Sequence, residues 1–395
     1  MSERFLSSRV TAVPPSGIRR FFDIAGTMKD AISLGVGEPD FITPYHIRNA
    51  AIDSLLSGET QYTPNRGLIS LRSEIAEYLY RRYSLQYDPN TEIVVTVGAS
   101  EAIDLALRAT LEPGDQVLVP DPGYVSYAPC VTFAGGEPIP LTTDAQNGFR
   151  IDPESLENGI TPRTKAIIFP YPNNPTGAVM RREHLEAIRP VIENHDLLII
   201  SDEIYSELTY EGDEHVSIAS LPGLKERTIL INGFSKAFAM TGWRLGYVCA
   251  PAPLIAQMNK IHQYTIMCAS RQSQVAAEEA LKAGRENGYK DILTMRESYD
   301  QRRRLMVDAF NHMGLPCHTP EGAFYCFPSI RHTGLTSEEF CTRLLKTERV
   351  VCVPGTAFGP SGEGHIRCCY ATGLKELNEA FTRIERFLKH LGEHI

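Results

Sequence analysis

The sequence predicts an α/β fold, a mainly parallel sheet sandwiched by helices, joined to a smaller α+β domain. Three features carry that expectation. Short β-branched apolar runs recur through the middle of the 395-residue chain. They are nearly unbroken in apolarity, as strands covered on both faces should be. Helical patterns separate several of them, the alternation of a parallel sheet. The last third then changes character, opening with one long amphipathic pattern and continuing in short strands and helices.

In chain order, residues 1–44 are irregular and rich in Pro and Gly. They either cover the site or pack on the small domain, and the residues alone leave both open. Buried strands are expected at EIVVTV (92–97), QVLVP (116–120), KAIIFP (165–170), LLIIS (197–201) and TILIN (228–232). SEAIDLALRATL, after Gly98, and REHLEAIRPVIENH, after Gly177, read as helices. YKDILTMRESYDQRRRLMVDAFNHMG reads as one long helix ending at Gly314. Beyond it, GAFYCFPSI, RVVCVPG and HIRCCYA read as strands, and TSEEFCTRLLK and LKELNEAFTRIERFLKHL as helices.

Size and composition narrow the function. A chain of this length holds two domains with large cores. Its 43% hydrophobic and 22% charged residues are ordinary for a globular protein. The net charge of -9 disfavours a nucleic-acid partner, which needs a basic footprint. No apolar run approaches the ~18 residues of a membrane span. The N-terminal MSERFLSSRVTAVPPSGIRR contains no apolar core suited to a signal peptide. Nine cysteines, an odd count without a C-x-x-C pair, point to reduced thiols in the cytoplasm. The adjacent Cys368 and Cys369 read as strand residues rather than ligands. The 11 histidines form no H-E-x-x-H or similar cluster, so no metal site is expected.

Ligands of open α/β sheets bind beyond the carboxyl ends of the strands, so the residues that follow each strand matter most. Gly98, Ala99 and Ser100 follow the first strand and open a helix, whose free amides suit a phosphate. YPNNPTG, with Asn174, follows KAIIFP; Asp202 and Tyr205 follow LLIIS; Ser235, Lys236 and Arg244 follow TILIN. Each has a plainer reading. Gly98 to Ser100 make a simple strand-to-helix turn, Asn174 is a turn former, and Asp202 caps the segment EIYSEL. Lys236 is a surface lysine, the usual place for that residue. The set outweighs its members. A phosphate cradle, a carboxylate, hydroxyl and amide donors and a lysine fall on one edge of one sheet. Pyridoxal phosphate needs such a set: a lysine for its Schiff base, an acid for its pyridinium nitrogen and a phosphate site. No G-x-x-x-x-G-K-[ST] or G-x-G-x-x-G motif competes for the phosphate.

The motifs SLGVGEPDF (33–41), YTPNRGLISLR, TVGASEAI, PDPGYVSY, PYPNNPTG, SDEIYSEL, SKAFAMTGWRLGY and GHIRCCYA run in this order through nearly the whole chain. Together they resemble the class I aminotransferases of the fold-type I pyridoxal phosphate enzymes. The resemblance implies a mainly parallel seven-stranded sheet in a large cofactor-binding domain (45–285). It also implies a small C-terminal domain (286–395) and an N-terminal segment (1–44) packing with it. Roles follow position by position. Lys236 matches the Schiff-base lysine, Asp202 the partner of the pyridinium nitrogen, and Tyr205 and Asn174 the hydrogen-bond partners of the ring hydroxyl oxygen. Tyr124 matches the ring that stacks on the cofactor, and Ser235, Arg244, Ser100 and the amide of Ala99 match the phosphate cup. Tyr62 matches a tyrosine that reaches the phosphate of the neighbouring subunit, which implies a homodimer. Arg367 matches the arginine that grips the substrate α-carboxylate beside Asn174, and Gly37 lies on the segment closing over the substrate. A planar guanidinium suits that grip because it binds both carboxylate oxygens. Catalysis then falls to Lys236, Asp202 and Tyr205.

The activity implied is transfer of an amino group from an L-amino acid to a 2-oxo acid, with 2-oxoglutarate the expected acceptor and ping-pong kinetics. TVGASEAIDL, SDEIYSELTY and HQYTIMCAS are most similar to aminotransferase A, a branch associated with N-acetyl-LL-diaminopimelate or aromatic amino acids. Aspartate aminotransferase is the alternative. Some aspartate-using relatives carry a lysine where this chain has Ser100, which weakens that alternative. Arg271 stands where a small or polar residue is expected. It reads as either a source of distal charge or a surface residue, and the second is favoured. A carbon–sulfur β-lyase would share the cofactor residues. A cofactor-binding regulator would need an attached DNA-binding module, and an inactive scaffold would be expected to lack Lys236, Asp202 or Arg367.

Overall fold

The computed structural model describes residues 3–18, 28, 30–212 and 214–392. Its strands are β1 (Ile32–Ser33), β2 (Ile93–Thr96), β3 (Gln116–Asp121), β4 (Glu137–Thr142), β5 (Thr164–Phe169), β6 (Leu198–Asp202), β7 (Thr228–Gly233), β8 (Gly246–Cys249), β9 (Tyr325–Cys326), β10 (Val350–Val351), β11 (Val353–Pro354) and β12 (Ile366–Cys369). Seven of them form one sheet in the order β2-β8-β7-β6-β5-β3-β4. β8 runs antiparallel to both β2 and β7, while the other pairs are parallel. Two antiparallel steps restore the direction, so β2, β5, β6 and β7 all end on the same edge.

Alternate residues of these strands enter different cores, as the period of two demands. Ile168, Ile200, Ile229 and Ile231 face the helices Gly98–Thr110, Tyr127–Ala134 and Ala252–Thr265 through Leu105, Val131 and Met258. Ile167 and Ile199 face the opposite way, onto Leu185, Ile188 and Ile192 of the helix Arg182–Asn194. Leu230 and Val95 meet the helices Ile69–Tyr83 and Arg271–Asn287 through Ile75, Leu79, Ala276 and Ala280. Each such Val, Leu, Ile or Met side chain, fully buried, stabilises the fold by about 1.5–3 kcal/mol.

All five strands expected in the middle of the chain are present, with ends shifted by a residue or so. Asp202 is the last residue of β6 rather than the first beyond it. Two strands of the sheet carry weaker signals. β4, EPIPLT, contains two prolines and lies at the sheet edge, where a missing N–H is tolerated. β8 is four residues long and opens on Gly246, whose added Cβ would stand 2.6 Å from the amide nitrogen of Ala99.

The C-terminal part builds on the helix Lys290–His312, which presents Met295, Tyr299, Met306 and Phe310 to a core shared with Phe340, Leu344, Leu377 and Ile384. The last four belong to the helices Ser337–Glu348 and Leu374–Gly392. β11, β12 and β9 form an antiparallel sheet beside them. These strands are shorter than the sequence predicts. GAFYCFPSI yields only Tyr325–Cys326, and RVVCVPG splits around Cys352. Pro328 and Pro354 lack the N–H that would extend the ladders. Cys368 and Cys369 lie buried in β12 as free thiols. β1 pairs in parallel with β10, Ile32 opposite Val350 and Ser33 opposite Val351, and Leu34 enters the same core. That pairing delivers residues 34–41 to the edge where the large-sheet strands end.

Candidate active site

The turn after β7 places Lys236. It is not a helix; the N–H groups of Phe238 and Met240 donate to the carbonyls of Phe234 and Ser235 at 3.2 Å each. Gly233 is paired with Gly246, and a Cβ on Gly233 would meet the Gly246 Cα at 2.9 Å, so the turn leaves the sheet through a tight gap. The Lys236 ammonium donates to the carbonyl of Gly37 at 2.6 Å. It stands 5.7 Å from the ring centre of Tyr205 and 5.5 Å from that of Phe324. Burial pushes its pKa down to about 8, and the positive charges of Arg367 and Arg244 act in the same sense.

At the end of β6, Asp202 is buried. Its Oδ2 accepts from the Tyr127 hydroxyl at 2.8 Å and its Oδ1 from the Ile204 N–H at 3.2 Å. Residues 204–207 form a turn, so no helix exists for Asp202 to cap, and the plainer reading of that residue fails. Burial raises its pKa to about 6 against the two hydrogen bonds. Both donors are uncharged. The carboxylate therefore sits in a low-dielectric place without a cation bonded to it, a costly arrangement that a bound positive group would relieve.

Tyr205 lies behind Lys236. Its hydroxyl shares a 2.8 Å hydrogen bond with that of Tyr325, and burial holds its pKa well above the usual phenol value. Tyr124, half-buried, stands edge-on to Tyr127 with ring centres 5.4 Å apart.

The helix Gly98–Thr110 opens next to Arg244. Gly98 has φ +78°, and a Cβ there would lie 2.7 Å from Nη2 of Arg244, so only glycine lets the guanidinium rest on this turn. Arg244 itself adopts φ +51° and donates to the Thr241 carbonyl at 3.2 Å. Ser100 is exposed and Ser235 buried. Free amides, a hydroxyl and an arginine thus gather at one helix N-terminus, an arrangement suited to a phosphate.

Arg367 projects from β12 and is buried. Nη1 donates to Oδ1 of Asn174 at 2.9 Å and Nη2 to the carbonyl of Gly35 at 2.6 Å. The guanidinium carbon lies 4.4 Å from the ring centre of Tyr325 and 4.8 Å from that of Phe358. Nε is buried without a partner. Arg367 and Lys236 therefore converge on two carbonyls of one short segment, 35–37.

Most of the residues singled out from the sequence meet at this edge. Tyr62 does not; it is 79% exposed. Arg271 is not a plain surface residue, since it is half-buried and ion-paired to Glu59 at 2.7 Å. Sequence reasoning passed over Tyr127, Tyr325, Phe324 and Phe358. Tyr127 lies inside the quoted PDPGYVSY, while Phe324 and Tyr325 were read only as strand residues of GAFYCFPSI.

Residues 29–384 match the family described as aminotransferase class I and II. The chain belongs to that family. This aminotransferase is 48% identical over 384 residues to an aspartate aminotransferase of Pyrococcus abyssi, covering 97% of this chain and 98% of the relative. It is 46% identical, over the same shares of each chain, to aromatic-amino-acid aminotransferase 2 of Thermococcus litoralis. Among solved structures, the aromatic aminotransferase of Pyrococcus horikoshii OT3 superposes with a TM-score of 0.90 at 47% identity, covering 94% of this chain and 99% of that one. The aminotransferase has the fold-type I architecture and depends on pyridoxal phosphate. Its residues fit that group. Asp202 lacks a cationic partner that a protonated ring nitrogen supplies, Lys236 offers an amine of depressed pKa, and the turn at Gly98 offers free amides beside Arg244.

Proposed function

We propose that Lys236 holds the cofactor and moves the proton, that Asp202 fixes the charge of the cofactor ring, and that Arg367 grips the substrate α-carboxylate. The observation that supports this most is the convergence of Lys236 and Arg367 on the carbonyls of Gly37 and Gly35, each at 2.6 Å. Bound pyridoxal phosphate supplies an aldehyde that captures amines and a ring that draws electrons from the adjacent carbon. Lys236 Nζ, with its pKa near 8, is neutral in a large fraction of molecules at mild alkaline pH and takes the substrate Cα proton. Asp202 carries the charge that keeps the ring nitrogen protonated, steadied by Tyr127. Tyr205, kept protonated by burial and oriented by Tyr325, would donate from its hydroxyl to the ring oxygen, with the amide of Asn174 serving the same atom. Ala99, Ser100, Ser235 and Arg244 hold the phosphate, and Tyr124 covers the ring. Arg367 binds both carboxylate oxygens, and the rings of Tyr325 and Phe358 keep the guanidinium in place and exclude water. Gly37 closes the site. Because the first 2-oxo acid would leave before the second binds, the amino group meanwhile being held by the enzyme's cofactor, the kinetics are ping-pong.

The donor is an aromatic amino acid and the acceptor 2-oxoglutarate. Aromatic walls around Arg367 support that class of donor. Ser100 is uncharged and Arg271 is committed to Glu59, so neither position provides a free cation for the second carboxylate of aspartate. A half-reaction screen tests the assignment. Phenylalanine and tyrosine should bleach the visible band of the holoenzyme faster than aspartate or N-acetyl-LL-diaminopimelate. A screen led by either of the last two would overturn it.

The working unit is a homodimer in which Tyr62 reaches the phosphate of a second copy. The helix Tyr45–Leu56 supports this, since Tyr45, Ile52, Leu55 and Leu56 are exposed along one stripe. Sedimentation at two protein concentrations tests it, a monomer at both being the contrary result. A cytoplasmic location is supported by the nine free thiols. The division into a cofactor-binding part (45–285) and a small part (286–395) is supported by the core around the helix Lys290–His312, which draws most of its buried side chains from beyond residue 290 and meets the larger part through Tyr205, Leu208 and Tyr210.

A further inference from the structure

The segment that carries Tyr62 is held on both sides by the start of a single helix, Arg271–Asn287. Before Tyr62, Oε2 of Glu59 accepts from Nε and Nη2 of Arg271 at 3.0 and 2.7 Å, and the Glu59 carbonyl accepts from Nε2 of Gln272 at 2.6 Å. After it, Nε2 of Gln274 donates to the Thr63 hydroxyl at 3.0 Å, while the Leu68 N–H donates to the oxygen of the same amide at 2.8 Å. Asn65 adds a bond to the Met267 carbonyl at 2.8 Å. The backbone is therefore pinned around a ring that itself projects into solvent. The two anchors differ. Gln274 is fully buried and uncharged, so it serves the fold. The side chains of Arg271 and Glu59 are 25% and 42% exposed, and a pair that open adds little stability. What distinguishes it is location, three residues before Tyr62.

We propose that Arg271 is a positioning residue for cofactor binding in the neighbouring subunit. Through Glu59 it fixes the approach of the Tyr62 hydroxyl to the partner's cofactor phosphate, and it neutralises a carboxylate that would otherwise stand close to that dianion. This rests on the homodimer reading above. Removal of the guanidinium leaves residues 59–61 tied to that helix through Gln272 alone, and the loss falls on the phosphate contact rather than on the ring or the aldehyde.

The test titrates cofactor-free protein with pyridoxal phosphate and, separately, with pyridoxal, which has no phosphate. Arg271→Met should weaken pyridoxal phosphate by about tenfold, on the scale of one charge-assisted hydrogen bond. It should leave pyridoxal affinity and the sedimentation of the dimer unchanged. Tyr62→Phe should behave the same way, and the swap E59R/R271E should restore tight binding. If Arg271→Met binds pyridoxal phosphate normally while Tyr62→Phe does not, the proposal is overturned. If both bind normally, the role given to Tyr62 fails and the proposal with it. Equal weakening of both ligands, or loss of the dimer, would assign Arg271 to the interface alone and likewise overturn it.

Discussion

The hydroxyl of Tyr127 donates to Oδ2 of Asp202 across 2.8 Å of buried space. That bond stabilises the ionised acid, whereas burial opposes it, and the balance leaves the pKa raised to about 6. A group with a raised folded pKa contributes its stability fully below its unfolded value, near 3.8, and loses it as pH rises through about 6. Cofactor-free protein should therefore lose stability between about pH 4 and 6, and Asp202→Asn should flatten that change. Thermal melts across this range check it. In the holoenzyme Asp202→Asn should lower kcat at least ~10³-fold, because the acid's charge acts on the reacting system. Unaltered kcat would contradict the role.

Lys236 titrates in the opposite sense. Its folded pKa is depressed to about 8, so the folded protein releases this proton before the unfolded chain does. Stability then rises with pH from about 8 towards the ordinary lysine value, and the reactive neutral amine appears over the same onset. Covalent capture of pyridoxal phosphate by cofactor-free protein should accelerate with a midpoint near pH 8. Stopped-flow absorbance measures it; a midpoint near 10.5, the unperturbed value, would mean that the amine is solvated.

Gly37 lies against Tyr325. A Cβ at that position would stand 2.4 Å from the Tyr325 hydroxyl oxygen, so Gly37→Ala must displace the hydroxyl that orients Tyr205. The expected outcome is a fall of roughly 10- to 100-fold in kcat/KM, of the size of one or two lost hydrogen bonds. Cofactor content measured by absorbance should hold.

Arg367 is expected to tolerate no substitute. Lysine keeps the charge but loses the planar fork and the stacking between Tyr325 and Phe358. Arg367→Lys should lower kcat/KM by about 10²–10³-fold, with little change in cofactor affinity. Steady-state kinetics with a saturating acceptor separates the two effects.

The sheet was legible because its strands are β-branched and buried on both faces, and Lys236 and Asp202 stood out as members of one set of polar groups at strand ends, whereas Arg367, inside β12, was reached only through the family resemblance. What the sequence hid is pairing across distance. Tyr127 meets Asp202 from 75 positions away, Tyr205 meets Tyr325 from 120, and Arg271 meets Glu59 from 212. No local pattern encodes such contacts; the packing of separate elements creates them. β4 and β8 were silent for a local reason, since prolines and a glycine replace the β-branched signature there.

Borohydride reduction of the holoenzyme, followed by peptide mass mapping, tests the central claim most directly. The account predicts the cofactor fixed to the peptide that contains Lys236, at one site per chain. Cofactor fixed to another lysine, or no fixation at all, would contradict it.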